Sequence, residues 1–243
     1  MKYTDLFIDF DDTLYDTHGN AILALQELFE DMDLGRYFDR AEDFTVPYWE
    51  ANVELWDLYA RGLIERDYLM VERFRRPLSH GSVTENGVRR AFNPDSEYCM
   101  KVSDHFLDLC ACKPGVVEGA HELVAALRQK GYRLHICSNG FHEVQYRKLR
   151  SCGMADAFDT VILSEDAGAN KPSRVFFDYA LEHTGASAGS TLMIGDNFQT
   201  DILGAKAAGL DVMFFNRKPQ SFTPTEPINY EVHSLREIMD LLG

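Results

Sequence analysis

The stretch that decides the fold is Leu6-Phe7-Ile8-Asp9-Phe10-Asp11-Asp12-Thr13. Its first three residues form an apolar run that is typical of a short buried strand. Acids are rare at the end of such a strand, because an isolated carboxylate in a low dielectric is costly. Strand alternation would place Asp9 and Asp11 on one side, so that two carboxylates enter one volume. The stretch is a candidate functional site, although taken by itself it fits a solvated turn equally well.

Further along the chain, from Lys113 onward, apolar runs alternate with helical patterns. The runs are residues 132–137, 160–163, 191–194 and 211–215, with a last short strand near 230–232 after a loop over 217–227. Helices are expected between them, for example over 119–130 and 200–208. This alternation predicts an α/β fold, with a doubly wound, Rossmann-like parallel sheet.

Residues 16–112 show a different pattern, in which apolar side chains such as Ile22, Leu25 and Phe29 recur at helical spacing without a convincing strand. We therefore predict an all-helical domain over 16–112, inserted into a core formed by 1–15 and 113–243. Trp49 and Trp56 of this insertion are candidates for stacking on a nucleobase, although aromatic residues at helical spacing more often pack in a core.

Composition excludes several classes of protein. The 243 residues carry 24 Lys and Arg against 39 Asp and Glu, a formal charge of −15 that opposes binding to nucleic-acid polymers and anionic membranes. The five cysteines are odd in number and contain no CxxC pair, which argues against a disulfide framework or a zinc site. With no signal-peptide pattern and no long apolar run, we expect a cytoplasmic protein. No feature indicates an oligomeric state.

Three later strand ends also carry polar side chains. They are Ser138-Asn139-Gly140, Lys171 in the segment Ala169-Asn170-Lys171-Pro172, and Gly195-Asp196-Asn197 with Asp201. The carboxyl ends of parallel strands open onto one crevice, so these groups are expected to meet Asp9. Oxygen ligands without His or Cys suit Mg²⁺. Individually, Lys171 also fits a surface lysine, Ser138 and Asn139 a turn, and Asp201 a helix N-terminus.

These segments resemble, in order, the four motifs of the haloacid dehalogenase-like hydrolase superfamily. Asp9-Phe10-Asp11-Asp12-Thr13 looks like the first motif, Ser138 the second, Lys171-Pro172 the third, and Gly195-Asp196 with Asp201 the fourth. The helical insertion is similar to the cap that this superfamily places between the first and second motifs.

The resemblance implies a phosphatase that forms an aspartyl-phosphate on Asp9, with Asp11 as general acid and base. It also implies roles for the remaining residues: Mg²⁺ bound by Asp9, the Asp11 carbonyl and Asp196; Asp201, Asn197 and Thr13 around these ligands; and Ser138, Asn139 and Lys171 on the phosphate.

Within the superfamily, segments such as Ser138-Asn139-Gly140-Phe141 resemble the pyrimidine 5′-nucleotidases. This implies a small phosphate ester as substrate, a pyrimidine nucleoside monophosphate first. Three alternatives stay open: a phosphoglycolate or sugar-phosphate phosphatase, a phosphoaspartate signalling module, and an inactive binding scaffold. The signalling module is the remote one, because a receiver domain needs neither this length nor a large helical insertion.

Overall fold

The computed structural model describes residues 2–219 and 222–242. The chain divides into two compact units, one formed by Met1–Thr17 with Pro114–Gly243 and the other by His18–Lys113. The expected boundaries, 16 and 112, differ from these by no more than two residues. No helix in the described part of the chain combines the length and the hydropathy that a membrane span requires.

The first unit is built on a parallel sheet. The described strands of both units, numbered in chain order, are β1 (Asp5–Ile8), β2 (Ser82–Glu85), β3 (Val88–Ala91), β4 (Arg133–Ser138), β5 (Thr160–Leu163), β6 (Thr191–Gly195), β7 (Asp211–Phe215) and β8 (Tyr230–Val232). Six of the described strands form this sheet in the order β5-β4-β1-β6-β7-β8. The predicted parallel sheet is confirmed.

Helices connect these strands and form most of the second unit. They are α1 (Thr17–Asp31), α2 (Glu42–Ala60), α3 (Arg66–Leu78), α4 (Ser96–Ala111), α5 (Ala120–Gln129), α6 (His142–Ser151), α7 (Ser164–Ala167), α8 (Arg174–Thr184), α9 (Gly204–Ala207) and α10 (Leu235–Leu242). The helix expected over 200–208 is instead a π-helical turn, Phe198–Leu203, followed by α9. The predicted loop over 217–227 includes Gln220 and Ser221, which lie outside the described residues.

Two apolar cores cover the two faces of the sheet. Leu6 and Ile8 of β1 belong to one core, and Phe7 between them belongs to the other. This is the period of two that a strand imposes on its side chains. Burial on both faces explains why the strands read as continuous apolar runs in the sequence.

The register of the sheet determines what meets at its carboxyl edge. Ile8 pairs with Ile136 of β4 on one side and with Ile194 of β6 on the other. The next residues of these strands therefore emerge side by side, at the centre of the sheet. The chain leaves β1 for β4 on one side and later returns to β6 on the other, which is the topological switch where α/β sheets bind ligands.

The second unit has its own apolar core, formed by α1 to α4. The prediction that it contains no strand is wrong, because β2 and β3 form an antiparallel hairpin within it. Asn86 and Gly87 form its two-residue turn, both with positive φ (52° and 78°). An Asn-Gly pair is a strong hairpin signal. Periodicity did not reveal these strands because they are short, and β3 is exposed along its length.

Candidate active site

The first group of polar side chains at the carboxyl edge is the Asp9 cluster, which we define as Asp9, Asp196, Asp201 and Lys171. Oxygens of the three carboxylates lie within 4.8 Å of one another. The Lys171 ammonium lies 2.7 Å from Asp9 Oδ1 and 2.7 Å from Asp201 Oδ1. Asp9, Asp201 and Lys171 are buried, and Asp196 is half-buried.

Asp9 is held at the end of β1 by the backbone. Its N–H donates to the Ile194 carbonyl of β6 at 2.8 Å, and the strand ends there. The following residues turn back, with Asp12 in the left-handed region (φ 59°). Strand alternation therefore does not relate Asp9 to Asp11 as predicted, because β1 ends at Ile8. Asp9 directly follows the strand, and a turn carries Asp11 to its position.

Lys171 uses all three of its N–H donors inside the protein. Besides Asp9 and Asp201, it donates to the Cys137 carbonyl at the end of β4 at 2.7 Å. Its backbone is fixed by Asn139, whose side-chain amide pairs with the Lys171 N–H and carbonyl at 2.8 and 2.9 Å. Burial lowers the pKa of Lys171, but the attraction of Asp201 and Asp9 outweighs it, so the pKa is raised and the side chain remains an ammonium.

The negative charge of the carboxylates in this cluster is only partly balanced by Lys171. Burial raises the pKa of Asp9 to about 7, because repulsion from Asp201 and Asp11 adds to the burial and Lys171 offsets only part of it. The pKa of Asp196 is raised well above its usual range, first by burial and then by the charges of Asp9 and Asp201. When all three acids are ionised they face one ammonium, which leaves two negative charges in excess. A divalent cation with oxygen ligands fits this excess.

The close approach of Asp201 to the end of β6 depends on Gly195. A Cβ placed on Gly195 would lie only 2.6 Å from Asp201 Cγ and 2.7 Å from its Cβ. Because Gly195 has no side chain, the Asp201 carboxylate packs directly over the end of β6 and accepts from the Asn197 N–H at 3.1 Å. Thr13 completes this side: its hydroxyl lies 3.1 Å from Asp9 Oδ2 and accepts from the Asp196 N–H at 3.1 Å.

The second group is the Asp11 cluster, which we define as Asp11, Thr17, Gln145 and Lys148. Lys148 Nζ and Thr17 Oγ1 contact Asp11 Oδ1, while Gln145 Nε2 donates to Asp11 Oδ2. Burial raises the pKa of Asp11, but the Lys148 ammonium and the hydrogen bonds of Thr17 and Gln145 outweigh it, so the pKa is lowered. This carboxylate is ionised and balanced by one cation.

Ser138 lies next to the Asp11 cluster. Its Oγ accepts from the Gly140 N–H at 3.0 Å and from Gln145 Nε2 at 2.6 Å. A hydroxyl has two acceptor lone pairs and one proton, so both acceptor positions are filled. The Ser138 proton is therefore directed away from these donors and is suited to an incoming anion.

The remaining predicted residues take varied positions. Asn197 caps the π-helical turn, accepting from the Gln199 and Thr200 N–H groups at 3.1 Å each. In the second unit, half-buried Trp49 packs against His18 and Tyr48, with ring centroids 4.5 and 5.3 Å apart. Trp56 packs edge-on against Tyr59 at 5.6 Å.

Two residues of the site were missed from the sequence, Gln145 and Lys148. Both are buried polar side chains on α6, three residues apart and hence on one helix face. The signal that could have revealed them is their place on the helix that directly follows the Ser138-Asn139-Gly140 turn. Asp201, predicted to lie around the metal ligands, has its carboxylate in the same group as Asp9 and Asp196.

Comparisons with known proteins place this chain in a family. The model of the haloacid dehalogenase-like hydrolase family matches residues 6–209. The chain is 30% identical over its whole length to the HAD-hydrolase YfnB of Bacillus subtilis (strain 168), of which the match covers 96%. A crystal structure of YfnB bound to magnesium gives a TM-score of 0.83 at 30% identity, covering 100% of this chain and 99% of that chain.

Two further relatives have named activities. The chain is 32% identical to pyrimidine 5′-nucleotidase YjjG of Escherichia coli (strain K12) over 100% of this chain and 99% of YjjG. It is 29% identical to a glyceraldehyde 3-phosphate phosphatase of Methanothermobacter thermautotrophicus, over 87% of this chain and 84% of that protein. Because the family model spans most of the chain and these relatives match along its length, the chain is an enzyme of the haloacid dehalogenase-like hydrolase family.

Proposed function

We propose that this hydrolase is a Mg²⁺-dependent phosphomonoesterase and that pyrimidine nucleoside 5′-monophosphates are its preferred substrates. The observation that carries the proposal is the Asp9 cluster, in which a buried carboxylate beside one ammonium faces two further acids. A reaction in the cytoplasm is part of the proposal, in keeping with the odd number of cysteines in the sequence.

Asp9 is the nucleophile in this proposal. Its carboxylate attacks phosphorus and forms an aspartyl-phosphate, while the ester oxygen leaves on the opposite side. Because the Lys171 ammonium lies 2.7 Å from Asp9 Oδ1, its positive charge stabilises a phosphoryl group joined to Asp9, although its three N–H groups already have acceptors. The Ser138 proton, which the described residues leave without an acceptor, would bind another phosphoryl oxygen.

Asp11 moves the protons. Asp11 is ionised before substrate binds, and the negative charge of a bound phosphate ester favours its protonated form. Asp11 then gives this proton to the leaving oxygen in the first step, and the resulting carboxylate takes a proton from the water that hydrolyses the aspartyl-phosphate. The second step restores the protonated acid, so one carboxyl group serves both steps. Lys148 favours the carboxylate form that the second step needs.

Mg²⁺ would be held by Asp9 and Asp196, with the Asp11 carbonyl as a further ligand and Asp201 beside them. When bound, the ion neutralises the negative charge that the carboxylates and the phosphoryl group bring together. The residues fit such an ion because their carboxyl oxygens already lie within 4.8 Å of one another, and in the ionised form they carry two negative charges more than Lys171 balances.

The preference for nucleotides is supported by the similarity to YjjG along the whole chain. A sugar-phosphate phosphatase is the second candidate, and the match to the glyceraldehyde 3-phosphate phosphatase supports it. In either case the inserted unit is proposed to select the substrate, with Trp49 and Trp56 as residues that could contact a base. A phosphoaspartate signalling module is disfavoured, because the hydrolase family model covers residues 6–209.

A substrate panel tests the proposal. We expect kcat/KM for UMP, dUMP or dTMP to exceed that for glyceraldehyde 3-phosphate, phosphoglycolate and hexose phosphates by about tenfold or more. AMP and dGMP are matched controls for the base, and thymidine 3′-monophosphate is the control for the position of the ester. A sugar phosphate that leads by tenfold would establish the second candidate. No phosphate release from any ester would overturn the phosphomonoesterase itself.

A further inference from the structure

Gln145 and Lys148 are buried polar residues outside the four motifs, and the proposed chemistry gives Gln145 no role and Lys148 only the effect of its charge on Asp11. Both lie on the face of α6 that meets the site. Polar side chains are rarely buried this completely unless each finds a partner. What they contact therefore indicates what they do.

The Gln145 amide joins two groups of the proposed reaction. Its Nε2 donates both to Asp11 Oδ2 and to Ser138 Oγ, the latter at 2.6 Å. Its Oε1 is buried and finds no hydrogen-bond partner among the described residues. A glutamine that served packing alone would be expected to use both ends of its amide, because an unpaired buried acceptor is unfavourable. The orientation of Gln145 is thus set by Asp11 and Ser138.

Gly140 makes room for this glutamine. A Cβ on Gly140 would lie 2.5 Å from Gln145 Cδ and 2.8 Å from Cγ, well inside van der Waals contact. The φ of Gly140 is not positive, so its backbone alone does not require glycine. The missing side chain serves the close approach of Gln145 over the Ser138–Gly140 turn.

Lys148 holds the other oxygen of the same carboxylate. Its ammonium contacts Asp11 Oδ1 and lies 5.2 Å from the centroid of the Tyr15 ring, which favours a cation at that place. Since Lys148 binds Oδ1 and Gln145 binds Oδ2, the carboxyl group is fixed at both oxygens and cannot rotate freely.

We propose that Gln145 and Lys148 are positioning residues for Asp11, and that Gln145 sets the separation between Asp11 and Ser138. This inference rests on the proposed function, in which Ser138 binds the phosphoryl group and Asp11 protonates the oxygen that leaves it. That oxygen is bonded to the same phosphorus, so a fixed Asp11–Ser138 separation aligns the proton with its acceptor.

Leaving groups that differ in their need for a proton test the proposal. p-Nitrophenolate leaves without protonation, whereas the 5′-oxygen of UMP needs a proton from Asp11. In Gln145→Leu we expect kcat/KM for UMP to fall at least about tenfold more than kcat/KM for p-nitrophenyl phosphate. We expect the KM for UMP to change little, because the lost alignment acts in the transition state.

Lys148 provides the second set of variants. Lys148→Met should show the same dependence on the leaving group, and Lys148→Arg should restore most of the activity on UMP. Arg150→Met is the matched control, because it removes a cation from an exposed position of the same helix. It should leave kcat/KM for both substrates unchanged. Gly140→Ala should mimic Gln145→Leu, since the added methyl group displaces the amide.

The outcomes separate this inference from the proposed function. If the wild-type enzyme hydrolyses both esters and folded Gln145→Leu loses the same factor on each, Gln145 has only a structural role and the inference fails. If Gln145→Leu does not fold, the contrast between Lys148→Met and Lys148→Arg decides by the same criterion. If the wild-type enzyme hydrolyses neither ester, the proposed function fails first, and the positioning role fails with it.

Discussion

The Asp9 cluster and the Asp11 cluster start two residues apart in the chain and differ in charge. Around Asp9, three carboxylates share one ammonium, and the pKa values of Asp9 and Asp196 are raised. Around Asp11, one carboxylate meets one ammonium and two neutral donors, and its pKa is lowered. The first cluster therefore lacks positive charge, and the second is complete as it stands.

This difference separates a cation-binding task from a proton-transfer task. A group of buried acids is stable as carboxylates only when further positive charge arrives, which links the Asp9 cluster to a metal. A carboxylate with its own ammonium needs no metal and can be held in one orientation. The three predictions below test that separation, starting with the largest expected effect.

Asp9→Asn should lower kcat by at least about 10³-fold, because the nearly isosteric amide cannot form the phosphoryl-enzyme. Phosphate release from the best ester of the substrate panel measures this, with thermal unfolding as the check on folding. Asp178→Asn is the matched control, since Asp178 is an exposed acid on α8 paired only with Arg174 among the described residues. A folded Asp9→Asn enzyme with wild-type activity would remove Asp9 from the nucleophile role.

Asp196→Asn should raise the Mg²⁺ concentration needed for half-maximal activity by about 10- to 100-fold, because the Asp9 cluster loses one of its acids. Asp11→Asn should change this concentration much less, since the Asp11 side chain already has its cation and the backbone carbonyl is retained. Metal titrations of the two variants measure the contrast. Equal shifts in both would show that the two clusters do not divide the work as their charges indicate.

Mg²⁺ should stabilise the fold more at pH 8 than at pH 5. Folding raises the pKa of the Asp9 carboxyl from about 4 in the unfolded chain to about 7. Such a group contributes its full stability below pH 4, where it is protonated in both states, and this contribution is lost as the pH rises through the folded pKa. Without metal, stability from this site thus falls between pH 4 and 7. Mg²⁺ binds the ionised form, so its benefit grows over the same range.

Thermal unfolding with and without saturating Mg²⁺ measures this, and we expect a shift in Tm at pH 8 that exceeds the shift at pH 5 by a few degrees, about 2–4 °C per kcal/mol. The difference should shrink in Asp196→Asn, which removes one of the raised carboxyl groups. An equal Mg²⁺ effect at both pH values would contradict a metal site made of these acids.

Much of the fold could be predicted from the sequence. The strands of the parallel sheet are apolar runs buried on both faces, and such runs are visible without any tertiary information. The hairpin of the second unit was not predicted, because its strands lie outside a buried sheet and only the Asn86-Gly87 turn marks them. The π-helical turn before α9 was not predicted either, because apolar spacing does not distinguish it from an α-helix.

For the site, the sequence determined which strand ends carry chemistry. The sequence was enough to predict that the strand ends at Asp9, Ser138 and Asp196 lie close together, because the carboxyl ends of parallel strands meet at one edge whatever the details of packing. Only the tertiary structure decided how the charges are divided. That Asp9 bonds Lys171 while Asp11 bonds Lys148 depends on a turn after β1 and on the face that α6 presents. Distances of a few ångströms between segments over a hundred residues apart have no signature in local patterns, because they arise from packing.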